Sequence, residues 1–311
     1  MKKKLHYFLA TATSWLLAIT LAQAQKKLLV FQTDFGLKDG AVAAMKGVAM
    51  NVAADLKIFD LTHEIPAYNI WEASYRLEQT AQYWPVGTVF VSVVDPGVGS
   101  VRKSIVLKTK SGHYFVGPDN GQFTLIAQSL GIEEIHEIDE VLNRRKNSGA
   151  SYTFHGRDVY AYTGARLAAG IITLARVGKK LSAKVITIDF QKPVYVRGDS
   201  LGENGTIKGN IPILDIQYGN VWTNIDGDTF KKLGVKYGDR LQVAIYHAGQ
   251  KIYEGNMPYE TTFSGVEEGK PLCYLNSLLN VSFALNMDNF SEKNKVYSGA
   301  DWSVVIKKFI P

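Results

Sequence analysis

The chain has 311 residues, is 46% hydrophobic and 21% charged, and carries a formal net charge of +6. That length and apolar content suit a globular protein with one large core or two domains, and exclude a disordered or fibrous chain. The charge falls to +3 once Lys2, Lys3 and Lys4 leave with the leader described next, because no acid leaves with them, and so mild a basic balance gives no argument for nucleic acid as a partner.

The first 24 residues read as an export signal: the three lysines, an apolar run over 7–21, and Ala22-Gln23-Ala24 as a small-x-small cleavage site. Cleavage after Ala24, a periplasmic location and no membrane association of the mature protein are expected. An uncleaved anchor is the alternative, disfavoured because the run is short and broken by Thr and Ser. Cys273 is the only cysteine, so neither an internal disulfide nor a cysteine metal cluster can form.

Residues 28–31 predict a short buried strand ending at Thr33-Asp34-Phe35-Gly36, and residues 39–52 a helix with Val42, Met45 and Ala49 on one stripe. Residues 58–61 are the next strand, tipped by Thr62-His63-Glu64. Residues 69–84 predict an amphipathic helix with Asn69 as N-cap and Pro85 as its stop. The apolar run 89–94 leads into Asp95-Pro96-Gly97-Val98-Gly99-Ser100-Val101-Arg102. A strand that ends on a carboxylate and turns through Pro and two Gly to an Arg holds opposite charges at its tip, where open α/β sheets place their ligands. A capped turn with an ion pair and no further role is the structural alternative.

Residues 104–108 and 113–116 predict a hairpin through Ser111-Gly112, followed by a tight turn at 117–121 and a helix over 122–130. The basic, aperiodic stretch 143–151 reads as a surface loop, and Thr153-Phe154-His155-Gly156-Arg157-Asp158 opens a helix that runs to Gly170. Strands alternating with helices over 25–185 specify an α/β domain with a central, mostly parallel sheet flanked by helices. Over 186–311 the texture changes to short β-rich runs punctuated by Gly, Asp and Asn, which predicts an all-β, barrel-like or sandwich domain.

Asp34, Asp95 and His155 follow or open different elements, and side chains from separate strand ends converge more readily than sequence neighbours do. Taken singly, Asp34 also fits an Asx-turn or helix cap, and His155 a capping or core histidine. In the second domain, Asp215-Ile216-Gln217-Tyr218-Gly219-Asn220-Val221-Trp222-Thr223-Asn224 mixes aromatic and amide groups as a planar base would require, though an ordinary hairpin with Asn-rich turns fits too. Tyr274-Leu275-Asn276-Ser277 adds polar groups at a strand end. Phosphate-loop, G-x-G-x-x-G and G-x-S-x-G motifs are absent, and His63, His113 and His155 lack the local spacing of metal ligands, so no metal site is expected.

Together, Thr33-Asp34-Phe35-Gly36 with Asp39-Gly40, Asp60-Leu61-Thr62-His63, Val94-Asp95-Pro96-Gly97-Val98-Gly99, Gly117-Pro118-Asp119-Asn120-Gly121, Thr153-Phe154-His155-Gly156-Arg157-Asp158 and Gly219-Asn220-Val221-Trp222-Thr223-Asn224 resemble, in the same order, the S-adenosylmethionine (SAM) hydroxide adenosyltransferases, relatives of the fluorinase and chlorinase. The resemblance implies attack of water or hydroxide at the ribose C5′ of SAM, giving adenosine and L-methionine, with SAM as substrate and no cofactor. It also implies a homotrimer in which SAM lies between the α/β domain of one subunit and the β-barrel of the next. The family's catalytic Asp–Arg–His set matches Asp95, Arg102 and His155. Substrate-binding positions match Asp34 and Asp39 on the ribose side, Tyr68 as an aromatic beside the substrate, Asp215 and Ser277 at the methionine end, and Tyr218, Asn220 and Phe263 at adenine.

The halogenase branch of the family has a Tyr where Asp95 stands and small hydroxyl residues around its halide, where this chain has Val98 and Gly156. The fluorinase's insertion before the Gly117-Pro118 turn is missing as well. Water is therefore the expected nucleophile, with halide-dependent synthesis of a 5′-haloadenosine and an exported adenosyl- or nucleoside-binding protein as alternatives. Two departures from the family pattern stand out: Leu278-Leu279 with Met287-Asp288-Asn289-Phe290 near the expected adenine, and the leader itself, since SAM is made in the cytoplasm.

Overall fold

A computed structural model describes residues 27–198 and 205–309, so the expected leader over 1–24 lies outside the described residues. The chain divides into two compact units, the first ending at Ile188 and the second beginning at Asp189. The texture change placed the boundary after 185; the three following residues stay with the first unit because Ile186 N–H donates to Asp119 Oδ1 at 2.8 Å and Ile188 N–H to Thr124 Oγ1 at 3.0 Å.

Six strands build the first unit: β1 (Leu28–Thr33), β2 (Lys57–Thr62), β3 (Val89–Val93), β4 (Ser104–Thr109), β5 (Tyr114–Pro118) and β6 (Ile132–Glu137). They lie in the order β2-β1-β3-β5-β4-β6, with every pairing parallel except the two made by β4. The strands alternate their side chains between two faces, and both faces are covered. Leu29, Phe31, Val89 and Val91 pack under helix α1 (Ala41–Val52), whose Met45 and Ala49 supply the expected stripe, and under the helix after His155. Val30, Phe90 and Phe115 pack on the other side with Leu77 of helix α2 (Ile70–Ala81), with Ile126 of the short helix α3 (Thr124–Ser129) and with Phe123 just before it.

Asn69 caps α2 as expected, its side chain accepting from Glu72 N–H at 3.0 Å, but the helix stops at Ala81, ahead of Pro85. The helix after His155 opens with a wide π-wound stretch, Gly156–Ala161, and continues as α-helix α5 (Tyr162–Ala168). Such a bulge inserts residues without ending a helix and recurs at functional sites. Gly164 lets this helix lie against β3, where a Cβ would stand 2.4 Å from Val91 Cγ2.

In the first unit a strand and a helix were not anticipated. Strand β6, Ile-Glu-Glu-Ile-His-Glu, hides a short apolar signal among charges because it is the last strand of the sheet, paired with β4 on one side and only bridged by the 179–181 segment on the other. Helix α4 (Glu140–Asn143) has four residues, too few for any periodicity. The stretch 143–151 is also not wholly a surface loop: Asn143 and Ser148 are buried, and Asn143 Nδ2 donates to Val177 O at 2.7 Å.

The second unit holds β7 (Val194–Val196), β8 (Thr206–Ile211), β9 (Ile213–Asp215), β10 (Asn220–Asp226), β11 (Arg240–His247), β12 (Gln250–Pro258), β13 (Pro271–Leu275), β14 (Asn280–Leu285) and β15 (Gly299–Lys308), with short helices α6 (Gly227–Lys231) and α7 (Phe290–Asn294). They form two antiparallel sheets, β13-β14-β10-β9 and β12-β11-β15-β8-β7. Their shared core includes Val243, Ile245, Phe283, Phe290, Val304 and Ile306, with the lone Cys273 fully buried. Among the described residues no helix is long and apolar enough to cross a membrane.

Candidate active site

The strand order of the first unit reverses at β1 and β3, since the chain leaves β1 for β2 on one side and returns to β3 on the other. Loops diverging at such a point open a crevice beyond the strand ends. Thr33 and Val93 are paired in register there, which brings Asp34 and Asp95 side by side in space from 61 residues apart in sequence. A cavity of about 280 Å³ lies at this place, lined by Asp34, Phe35, Tyr68, Asp95, Val98 and His155 among others.

Arg102 grips Asp95 with three hydrogen bonds, Nε to Oδ1 at 3.0 Å and to Oδ2 at 3.1 Å, and Nη2 to Oδ2 at 2.5 Å. Both side chains are largely buried, so this is a directed, desolvated pair rather than a solvated one. Burial is the largest single influence on the Arg102 charge and opposes it, but the Asp95 hydrogen bonds and the electrostatics of Tyr160, Asp95 and Glu140 together outweigh it and raise the guanidinium above its ordinary value. The opposite edge of Arg102 donates from Nη1 to Ser104 Oγ at 3.1 Å, and Ser104 Oγ lies 3.0 Å from the Tyr160 hydroxyl. Burial pushes the Tyr160 phenol up, so it stays neutral there.

His155 shares the cavity wall with Asp95 but takes its hydrogen bonds elsewhere. Its Nδ1 lies 2.9 Å from Tyr152 O, and its Nε2 lies 3.4 Å from both Glu140 Oε1 and Arg144 Nη2. Arg144 in turn donates to Glu140 Oε2 at 2.5 Å. The His155 hydrogen bond lowers the Glu140 carboxyl most; burial opposes this, Arg144 adds to it, and the result is about 2. A second cavity of about 270 Å³, lined by Arg102, Ser104, Glu140, Tyr152 and His155, adjoins this network.

Asp34 accepts the Tyr68 N–H at 2.9 Å, and burial raises its carboxyl against that bond, with the neighbouring Asp95 charge adding to the rise. Tyr68 holds a left-handed backbone at φ 68° and is 71% exposed on the cavity wall. A non-glycine residue held in that region marks a place worth strain. Asp39 does not join the cavity lining; it starts α1 by accepting Ala41 N–H at 2.9 Å.

The remaining predicted residues gather in the second unit. Asp215, Tyr218, Asn220, Phe263 and Ser277 all line one cavity of about 640 Å³, together with Trp222, Tyr274, Asn276 and Met287. The β9–β10 turn places the first three, with Asn220 Nδ2 donating to Asp215 Oδ2 at 3.1 Å; Phe263 comes from a separate turn, its ring meeting that of Tyr274 on β13 at 5.0 Å, and Ser277 follows β13. Burial pushes the Tyr274 phenol up to about 12. Asn276 spends its Oδ1 on the Leu278 and Asn280 N–H groups, while its buried Nδ2 has no hydrogen-bond partner. An unsatisfied buried donor on a cavity wall is available to a ligand acceptor.

Sequence reasoning missed Ser104, Glu140, Arg144 and Tyr160. The Glu140/Arg144 spacing of four residues is a weak helical signal, and the other two sit inside ordinary apolar runs.

Residues 29–178 match the model of the SAM hydroxide adenosyltransferase N-terminal domain, and residues 209–303 that of its C-terminal domain. An (R)-S-adenosyl-L-methionine hydrolase from Methanocaldococcus jannaschii is 36% identical over 285 residues, 87% of this chain and 96% of the relative. A fluorinase from Actinopolyspora mzabensis is more distant, 27% identical over 84% of this chain and 91% of its own length. Among solved structures, an uncharacterized conserved protein from Thermotoga maritima superposes with a TM-score of 0.80 at 35% identity, covering 90% of this chain and 100% of that one.

Proposed function

The chain belongs to the SAM hydroxide adenosyltransferase family, and from that premise we propose that it hydrolyses S-adenosyl-L-methionine to adenosine and L-methionine by attack of water at the ribose C5′. The observation that carries the reading is the three-point grip of Arg102 on Asp95 in a strand-end cavity shared with His155. A carboxylate fixed in this way accepts a hydrogen bond from water in one orientation. His155, on the same wall, is able to take the proton as the C5′–O bond forms and the C5′–S bond breaks. Methionine leaves as a neutral thioether, so the leaving group needs no acid. The rate then depends on aligning the nucleophile opposite the C–S bond and removing its water shell.

In this reading Asp34 holds the ribose hydroxyls, Tyr68 covers the sugar, Asp215 and Ser277 take the methionine end, and Tyr218, Asn220 and Phe263 take adenine. Trp222 and the free Asn276 Nδ2 extend that second set. The assembly is a homotrimer, with SAM between the first unit of one subunit and a barrel-like second unit of the next, and the mature protein is exported after cleavage at Ala24. The ligand-ready residues fall into two sets, one in each unit, which is the division of roles that the family's arrangement uses.

Incubation with SAM and added chloride in ¹⁸O-water tests the chemistry. Labelled adenosine with equimolar methionine is expected. Label no higher than in an Asp95→Ala control, or 5′-chloroadenosine rising with chloride, overturns it. Light scattering of the mature protein tests the trimer, and the mass of the N-terminal peptide in a periplasmic fraction tests export.

A further inference from the structure

We propose that Glu140 and Arg144 are positioning residues that act in opposite senses on the proton at His155 Nε2, and so set the pH range over which the hydrolysis runs. The inference rests on the reading of His155 as the group that takes the proton from water.

The geometry leaves one nitrogen undecided. Nδ1 lies 2.9 Å from Tyr152 O, and a carbonyl can only accept, so Nδ1 carries a proton in every state of the ring. At Nε2 two groups stand at the same 3.4 Å and make contrary demands. Glu140 Oε1 is an acceptor and favours a protonated Nε2. Arg144 Nη2 is a donor only and favours the bare lone pair. Neither neighbour can drift away easily. Arg144 is tied to Glu140 Oε2 and lies with its guanidinium carbon 4.4 Å over the Tyr152 ring. Glu140 starts α4 directly after its cap, Asp139, and its Oε1 also lies 3.5 Å from Ser104 Oγ.

The other charged groups around this point pair among themselves. Asp95 is held by Arg102, Lys103 lies 3.6 Å from Glu137 on the wall of the adjoining cavity, and Asp34, which lines the strand-end cavity with His155, is the exception, held by the Tyr68 N–H at 2.9 Å. Tyr160, with its ring 6.2 Å from His155, is kept neutral by burial. Glu140 and Arg144 are thus the charges that face the imidazole directly. Ser104 also makes a continuous line of polar contacts from Asp95 through Arg102 to Glu140 and His155. A charge lost at one end of that line is felt where the nucleophile is held.

The test is the pH dependence of kcat/KM for adenosine release. Glu140→Gln leaves Arg144 facing the ring alone, so the acid limb moves to lower pH, by about one unit for a full charge at this distance and partial burial. Arg144→Gln leaves the carboxylate alone and moves the limb to higher pH by a similar amount. Arg144→Lys, which keeps the charge, and the Glu140→Gln/Arg144→Gln double variant both fall between these extremes. Limbs that move in the same direction, or do not move, overturn the proposal. Imidazole ¹⁵N resonances followed against pH, with those of His155 identified by their loss in His155→Asn, read the same opposed shifts without catalysis. A protein with no hydrolase activity but with opposed ¹⁵N shifts would refute the proposed function and leave the charge balance standing, whereas activity with unmoved ¹⁵N shifts would refute the balance alone.

Discussion

The two cavities differ in kind. The one in the first unit is small, about 280 Å³, and its polar groups are carboxylates and an imidazole already held by their neighbours. The one in the second unit is larger, about 640 Å³, and its wall is mostly aromatic and amide, with a donor still unspent at Asn276. Chemistry needs charge fixed before the substrate arrives, because reorganising a dipole during the reaction costs part of the barrier reduction. Recognition of a planar, neutral base needs area and a few hydrogen-bonding groups. A parallel sheet with diverging loops supplies the first, and an antiparallel hairpin edge supplies the second.

That contrast breaks if variants in the two walls have the same kinetic effect. Asp95→Ala is expected to cost kcat about 10³-fold, in the range for a lost positioned acid–base group, while KM for SAM changes little. It should also lower stability by roughly 3 kcal/mol, because it strands a buried Arg102. Steady-state kinetics and urea unfolding of one preparation separate the two effects. Asn220→Ala removes the amide that orients Asp215 and should raise KM about tenfold with kcat nearly kept, as for one hydrogen bond to a charged group. A collapse of kcat instead would place chemistry in the second unit.

Acid titration sharpens the same comparison. The Glu140 carboxyl is depressed in the fold to about 2 from an ordinary 4.5, so its contribution is fully present above pH 4.5 and is lost as pH falls through about 2. With the side chain about a third exposed, roughly 1–2 kcal/mol of first-unit stability is expected to go in that window. Thermal melts at stepped pH should show Glu140→Gln losing this slope, while second-unit probes keep theirs. The smallest effect expected is that of Asp226→Ala, which removes the α6 cap accepted from Thr229 N–H at 2.8 Å and costs about 1 kcal/mol. It should leave kcat and KM unchanged, since Asp226 lines neither cavity.

Much of the first unit was legible because its signals are local. The apolar runs of β1 and β3, the stripe Val42, Met45 and Ala49, and the Asn69 cap each report a periodicity or a cap within one turn or strand. Where the burial pattern is diluted, reading failed: β6 carries charge at an edge, α4 is one turn long, and Asn143 is buried by a partner at Val177 that no spacing announces. Asp39, a family position, starts a helix here and is not among the residues of the strand-end cavity wall.

By itself the sequence determined the two kinds of domain, the strand tips that carry Asp34 and Asp95, and the order of motifs that marks the family, because all of these are written along the chain in short spans. Only the tertiary structure decided what faces His155. Glu140 and Arg144 reach its Nε2 from a separate helix, and Ser104 joins them to Arg102 from a strand. Such contacts are set by sheet order and packing. The balance of charge at one nitrogen is a property of distances, and distances between remote segments are not encoded in any single stretch of residues.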